Sequence, residues 1–567
     1  MIMDVRRIVL IAGLAVVSYI LVLQWSSDYS GAPRPQEAAQ SSEAMPLEVP
    51  ESEVPEQASA AAQPPDSDVP QASGSAPAST AASSGSSNVV SMDSDVLNLT
   101  IDLVGGDVIS AGLPEFPARA ESPDIPFKIL ENRQRTYTAM SGLVGPDGID
   151  SEQRAQYTAE QSQYRLAEGE QQLEVVLSHA TDSGLVVNKI FTLTRGSYLI
   201  DVRYELQNQS AESVTTNLFA QLKRDRSDDP SAGGQIGMSS YLGAAITTPD
   251  DRYLKISFGD MEDETFRITQ NGGWIAILQH YFLSAWVPAS DQSHSYYARQ
   301  LANGLYYAGF QSPALTVAPG DTASTSTQLY VGPKDQDSLA TISEHLELTV
   351  DYGWLWWAAQ PLFKLLQFMQ SLVGNWGWAI VLMTLTVKMV LYPLTASSYR
   401  SMAKMRKFAP KMTQLREQFG DDRQRLGQEM MKMYKKEKLN PMGGCLPILV
   451  QMPIFIALYW VLMEAVELRQ SPFIFWIEDL SIKDPYFVLP LLMGGSMFVQ
   501  MQMQQQPSMD PMQARMMKFM PLIFTFMFLW FPAGLTLYWF VNNVTTICQQ
   551  YIVNRQFEKA DKAKTAT

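Results

Sequence analysis

The chain has 567 residues, with 42 Lys or Arg against 58 Asp or Glu, a net charge of -16 and a hydrophobic content of 46%. Residues 28–350 alone carry a net -25, which leaves +9 for the rest. An acidic polar half joined to a basic apolar half reads as a soluble domain attached to a membrane domain, and the acidity argues against nucleic acid as its partner. The two cysteines, Cys445 and Cys548, lie in the apolar half, so the soluble half has no disulfide framework.

Met1–Arg7 is basic at Arg6 and Arg7, and Ile8–Trp25 is continuously apolar. A signal peptide and a first span share that shape. No clean small-x-small cleavage site follows, so residues 1–27 read as an uncleaved anchor whose arginines keep the N-terminus in the cytoplasm. Residues 28–88, rich in Pro, Ala, Ser, Gln and Glu, bury too little to offset their ordering entropy and read as a disordered tether. Residues 89–350 change to short alternating runs. Leu97, Leu99, Ile101 and Leu103 share one face of a strand closed by Gly105-Gly106-Asp107, and comparable runs occur at 173–177, 186–194, 198–206 and 315–319. The pattern predicts a β-sandwich. His179, His280, His294 and His345 fit no metal-ligand spacing and read as structural.

Residues 351–374 are too interrupted by Gln360, Pro361, Lys364, Gln367 and Gln370 for a span. With Trp354, Trp356 and Trp357 at the front, they read as an amphipathic helix lying on the membrane surface. Residues 375–553 then hold five apolar segments, at 375–394, 447–466, 486–503, 519–531 and 533–553. The fourth is short against the ~20 residues a bilayer needs. With the anchor they make six spans, both termini cytoplasmic and residues 28–374 outside. Residues 396–446 carry twelve Lys or Arg against five acidic residues, which places them in the cytoplasm. They read as a helical hairpin turning at Gly420-Asp421-Asp422, with Met402, Met405, Met412 and Leu415 facing Leu426, Met430 and Met433. Pro410 should kink its first helix. Residues 554–567 form a basic cytoplasmic tail.

Lys388 stands inside the first of the five segments, where an ionisable residue marks a functional site or snorkels to the nearer surface. Thr384 shares its helix face. Gln451 sits near the cytoplasmic end of the next segment, Gln500 and Gln504 at that end of the third, and Tyr538, Asn542, Thr545 and Gln549 follow one face of the last. Polar groups thus gather at one depth on several spans, as a water-filled pocket open to the cytoplasm would need. No nucleophile–base pair, phosphate loop or intramembrane histidine accompanies them, so neither catalysis nor a cofactor or metal is expected. Two functions remain: a site that admits a polar segment partway while an apolar one meets lipid, or a solute transporter or channel with a periplasmic ligand-binding β domain.

The runs VDYGWLWW, QPLFKLL, VGNWGW, YPLTASSYRSMAKMRKFAPKM, GDDRQRLGQEMM, NPMGGCLPILVQMPIFIALY and FMPLIFTFMFLWFPAGLTLYW, with VELRQSPFIFWIEDLSIKDPYFVLPLLMG, cover nearly all of 350–553. In these runs the chain resembles the YidC/Oxa/Alb family of membrane protein insertases, in its Gram-negative form with a large periplasmic domain. The resemblance implies a polytopic α-helical protein with a five-helix core, a hydrophilic groove open to the cytoplasm and inner leaflet, a cytoplasmic helical hairpin and a periplasmic supersandwich. It implies insertion and assembly of inner-membrane proteins, alone or with the Sec translocon, without enzymatic chemistry. Lys388 falls where the family has a groove arginine, so the charge is kept and the forked guanidinium is not. Thr384 and Gln451 match other groove positions, Trp476, Tyr538 and Trp539 fall in regions linked to substrate contact, and Asn542 and Thr545 extend the Tyr538 face. The implied partners are nascent membrane proteins, the Sec machinery, lipids, and a ribosome or targeting factor at the hairpin and tail.

Overall fold

A computed structural model describes residues 88–119, 122–232, 240–419, 422–437, 446–504 and 511–565. The expected anchor, nearly all of the tether and the Gly420-Asp421 turn fall outside these residues. Alternation builds the β half. In Leu199–Asn208, Ile200, Val202, Tyr204 and Leu206 are buried, while Asp201, Arg203 and Glu205 turn away from the core. This strand pairs antiparallel with Leu185–Thr194 and Thr322–Pro333 within a nine-stranded sheet. The other sheet has ten strands, with Val214–Arg224 between Thr136–Val144 and Tyr306–Val317. Inward residues of both sheets form one apolar core. Among the described strands only Val89–Asp93 and Gln163–Arg165 pair in parallel.

A charged residue breaks the apolar pattern at one inward position of Leu185–Thr194. Leu185, Val187, Phe191 and Leu193 face the core from one strand, and so does Lys189, fully buried among them. Its ammonium donates to the carbonyls of Gly105 and Ser141, at 3.1 Å each, and sits 5.3 Å from the ring centroids of Phe191 and Tyr204. Arg154 pairs with Asp107 and Asp150 alongside. Burial pushes the Lys189 amine down to about 7, against the opposing pull of Asp107. Gly105 and Gly106, both at positive φ, let the turn approach these cations; a Cβ on Gly106 would lie 2.9 Å from Lys189 Cδ.

Two short helices, α1 (Phe258–Asp263) and α2 (Gln336–Ile342), belong to the β half. Beyond it come α3 (Trp356–Val373), α4 (Trp376–Val390), α5 (Tyr392–Lys407), α6 (Ala409–Phe419), α7 (Arg423–Lys436), α8 (Leu446–Glu464), α9 (Val488–Gln504), α10 (Pro511–Phe528) and α11 (Ala533–Thr565). Ala359, Phe363 and Leu366 form the buried stripe of α3, and Trp354, Trp356 and Trp357 stay exposed at its start. Gly374, at φ 66°, ends α3 by donating its N–H to Gln370, and Asn375 caps α4 by accepting from Trp378 N–H at 3.1 Å.

The expected segment 375–394 is not one helix. It breaks at Leu391, and α4 and α5 meet at a 65° bend. Pro393 lacks an N–H and disfavours helical backbone just before it, so α4 ends and α5 begins with Pro393 in its first turn. Pro410 acts similarly, dividing α5 from α6 at Phe408 rather than kinking a continuous helix. Met402, Met405 and Met412 are buried with Met430, Met433 and Tyr434 packed on them, and Val553 of α11 joins this cluster. Leu415 and Leu426 are not part of it. The last two segments are longer than their apolar runs, with 18 residues in α10 and 33 in α11, which continues through the tail. No single described helix is long and apolar enough to cross a membrane by itself, and α4 with α5 pass together only as a bent pair.

Candidate functional site

Three helices converge on Lys388. Its residue exposure is 3%, and its ammonium donates to Gln451 Oε1 of α8 at 3.1 Å and to Thr546 Oγ1 of α11 at 2.9 Å. Gln451 Nε2 in turn donates to Asn542 Oδ1 at 2.5 Å, and Gln549 Nε2 donates to the Lys388 backbone carbonyl at 3.2 Å. Both side-chain partners of the ammonium are neutral. They orient the cation without cancelling its charge, so a carboxylate arriving here would add an opposite charge to the hydrogen bond and bind more strongly.

The structure brings together Lys388, Gln451 and Asn542 of the sequence-derived set. Tyr538, buried one turn from Asn542, packs on Phe455 of α8 with ring centroids 6.3 Å apart. Trp539 meets Phe455 edge-on at 4.3 Å and Phe528 of α10 at 5.1 Å, closing the apolar side. Thr384 and Thr545 bond carbonyls of their own helices, at Ile380 and Val541, and neither reaches the ammonium. Trp476 lies in the loop between α8 and α9, its indole N–H held by Asp484 at 3.0 Å. That loop is tied to the start of α11 by Ala533 N–H to Ile482 and Gly534 N–H to Leu480.

Sequence reasoning missed Thr546 because α11 carries its polar residues as adjacent pairs: Asn542 and Asn543, Thr545 and Thr546, Gln549 and Gln550. Steps of four and three from Asn542 reach Thr546 and Gln549 on the Lys388 side. Asn543 instead donates to Ser496, and Gln550 to the Met503 carbonyl, both on α9. The signal was the paired spelling itself, which composition cannot phase.

Large apolar side chains are exposed on the helices of this half, among them Val390 of α4, Leu491 and Phe498 of α9, and Phe519, Leu522 and Phe526 of α10. A water-facing protein rarely shows so many on neighbouring helices. The YidC periplasmic domain model matches residues 89–365, and the 60Kd inner membrane protein model matches residues 368–561. A membrane protein insertase YidC of Stutzerimonas stutzeri is 50% identical over 99% of this chain and 100% of its own length. That of Azotobacter vinelandii is 51% identical over 98% and 99%. Among solved structures, an active YidC insertase aligns with 82% of this chain and 93% of its own, at 18% identity and a TM-score of 0.37, too loose to add to the sequence match. On the full-length identity to these relatives, the chain belongs to the YidC family of membrane protein insertases.

Proposed function

We propose that this chain is a membrane protein insertase and chaperone of the inner membrane, and that Lys388 receives the polar end of the incoming segment. The observation that carries the reading is the buried ammonium held, among the described residues, by neutral side chains of two other helices. An acidic or polar tail displaces Gln451 and Thr546 from it, while the apolar part of the same segment slides along the exposed faces of α9 and α10 into lipid. Each large apolar side chain leaving water contributes about 1.5–3 kcal/mol, so a span's worth outweighs brief hydration of a short polar tail without nucleotide hydrolysis. The relatives are named as insertases and lend the transporter reading no support.

In this reading the protein crosses the membrane six times, the first crossing at 1–27 and the other five within 375–553. The β domain at 89–350 and the helix at 351–374 lie in the periplasm, and both termini lie in the cytoplasm. The net +7 of residues 396–446 favours the cytoplasmic side and suits a ribosome, a targeting factor or anionic lipid. The protein works alone or with the Sec translocon in this reading. Insertion by purified protein in lipid vesicles tests the core of this. Lys388→Glu is expected to cut insertion of a single-span substrate with an acidic translocated tail at least tenfold, and Lys388→Arg to keep most of it. Equal loss in both would assign Lys388 to packing, and vesicles that pass a solute but insert nothing would overturn the reading.

A further inference from the structure

Thr546 of α11 makes every bond its hydroxyl can make. Its Oγ1 donates to the Asn542 carbonyl of its own helix at 2.7 Å and accepts from the Lys388 ammonium at 2.9 Å. The third partner is the Tyr399 hydroxyl of α5. A hydroxyl has one proton and two lone pairs. With the proton given to Asn542 and one lone pair taken by Lys388, the remaining lone pair accepts from Tyr399. Two donors on different helices, an ammonium and a phenol, therefore converge on one neutral oxygen. Lys388, Thr546 and Tyr399 are 3%, 4% and 5% exposed, so these bonds form away from competing water.

Tyr399 reaches this oxygen from beyond the 65° bend at Leu391. Apolar packing holds its ring there. Tyr399, Met402 and Met405 of α5 are buried together with Val553, two turns past Thr546 on α11. Removing the phenol oxygen alone thus leaves the contact between α5 and α11 in place. The pair of donors also bears on the exchange of arginine for lysine at position 388. A guanidinium presents two parallel N–H groups to one carboxylate, whereas an ammonium acts as a compact point charge. Here the phenol supplies a second donor from a fixed position. A carboxylate oxygen set in place of Thr546 Oγ1 accepts both bonds, and its charge strengthens both. An amide oxygen in the same place is neutral and gains nothing over the threonine it displaces.

We infer that Tyr399 is a second receiving residue for the incoming segment: with Lys388 it forms a two-donor cradle that favours a carboxylate tail over a neutral polar one. This rests on the insertase reading above. Vesicles containing the full chain are given two single-span substrates that differ only in an Asp-rich or an Asn-rich translocated tail. Tyr399→Phe is expected to lower insertion of the Asp-rich substrate at least about threefold more than that of its Asn-rich twin, the effect of one lost charge-assisted bond. The ratio is read within one variant, so a general loss of folded protein cancels. Lys388→Arg offers two donors from one side chain, and adding Tyr399→Phe to it should change that ratio by less than about 1.5-fold. Equal losses on the two tails would make Tyr399 a packing residue. That result, unchanged insertion of both substrates, or the same Asp-specific loss in the Lys388→Arg background would each overturn the inference. A parent protein that inserts neither substrate would instead sink the insertase reading itself.

Discussion

Lys189 and Lys388 are both withdrawn from water, by opposite means. Lys189 donates to two backbone carbonyls beside Asp107 and Asp150, and Lys388 to a glutamine and a threonine. The first arrangement is a closed account of charge within a rigid core. The second leaves a cation whose two side-chain acceptors are neutral. Lys189 also makes stability depend on pH. Its folded value of about 7 lies below the ordinary 10.5, so between those values the unfolded chain binds a proton that the folded chain does not. Stability of the β domain therefore rises with pH across that window and is flat with respect to this group below it. Thermal unfolding of the detergent-solubilised protein should show Tm climbing by a few degrees from about pH 7 to about pH 9.5, and Lys189→Met should remove the climb. The lysine is written in VVNKIFTLT at an inward register, so its depth was legible; its partners, 84 and 48 residues away, were not.

At the scale of elements, alternation and caps carried most of the information. The strand at Leu199–Asn208 follows directly from period two, and Gly374 followed by Asn375 spells the end of one helix and the start of the next. Pro393 went unread and Pro410 was read only as a kink, yet each stands in the first turn of a new helix at a division between helices. Helix contacts made through small residues were not legible at all. Gly494 of α9 faces Thr525 of α10 so closely that an added Cβ would collide with the threonine hydroxyl. Gly494→Val should force the two helices apart and destabilise the helical half by about 1–3 kcal/mol, read as a lower denaturation midpoint. Gly495, with open space at its Cβ position, is the matched control, and the same change there should be nearly silent.

For the whole molecule, domain order was plain because charge and hydropathy change sign along the chain. The contact between Lys334 and Glu464 was hidden, since the two are 130 residues apart. Sidedness follows from the six-span reading. In a background without Cys445 and Cys548, Phe475→Cys should react with a membrane-impermeant maleimide from outside intact spheroplasts, because Phe475 is 87% exposed in the α8–α9 loop. Lys432→Cys on α7 should react only after lysis. The reverse pattern would invert the topology. The doubled letters of α11 have a consequence for how such a molecule could move. Turning that helix back by one residue, about 100°, would offer Asn542 and Gln549 to α9 in place of Asn543 and Gln550, like for like. On the other side Thr545 would replace Thr546 at the ammonium, but Val541 would face Gln451 where Asn542 had been. Such a swivel keeps one seam chemically unchanged and unlatches the other.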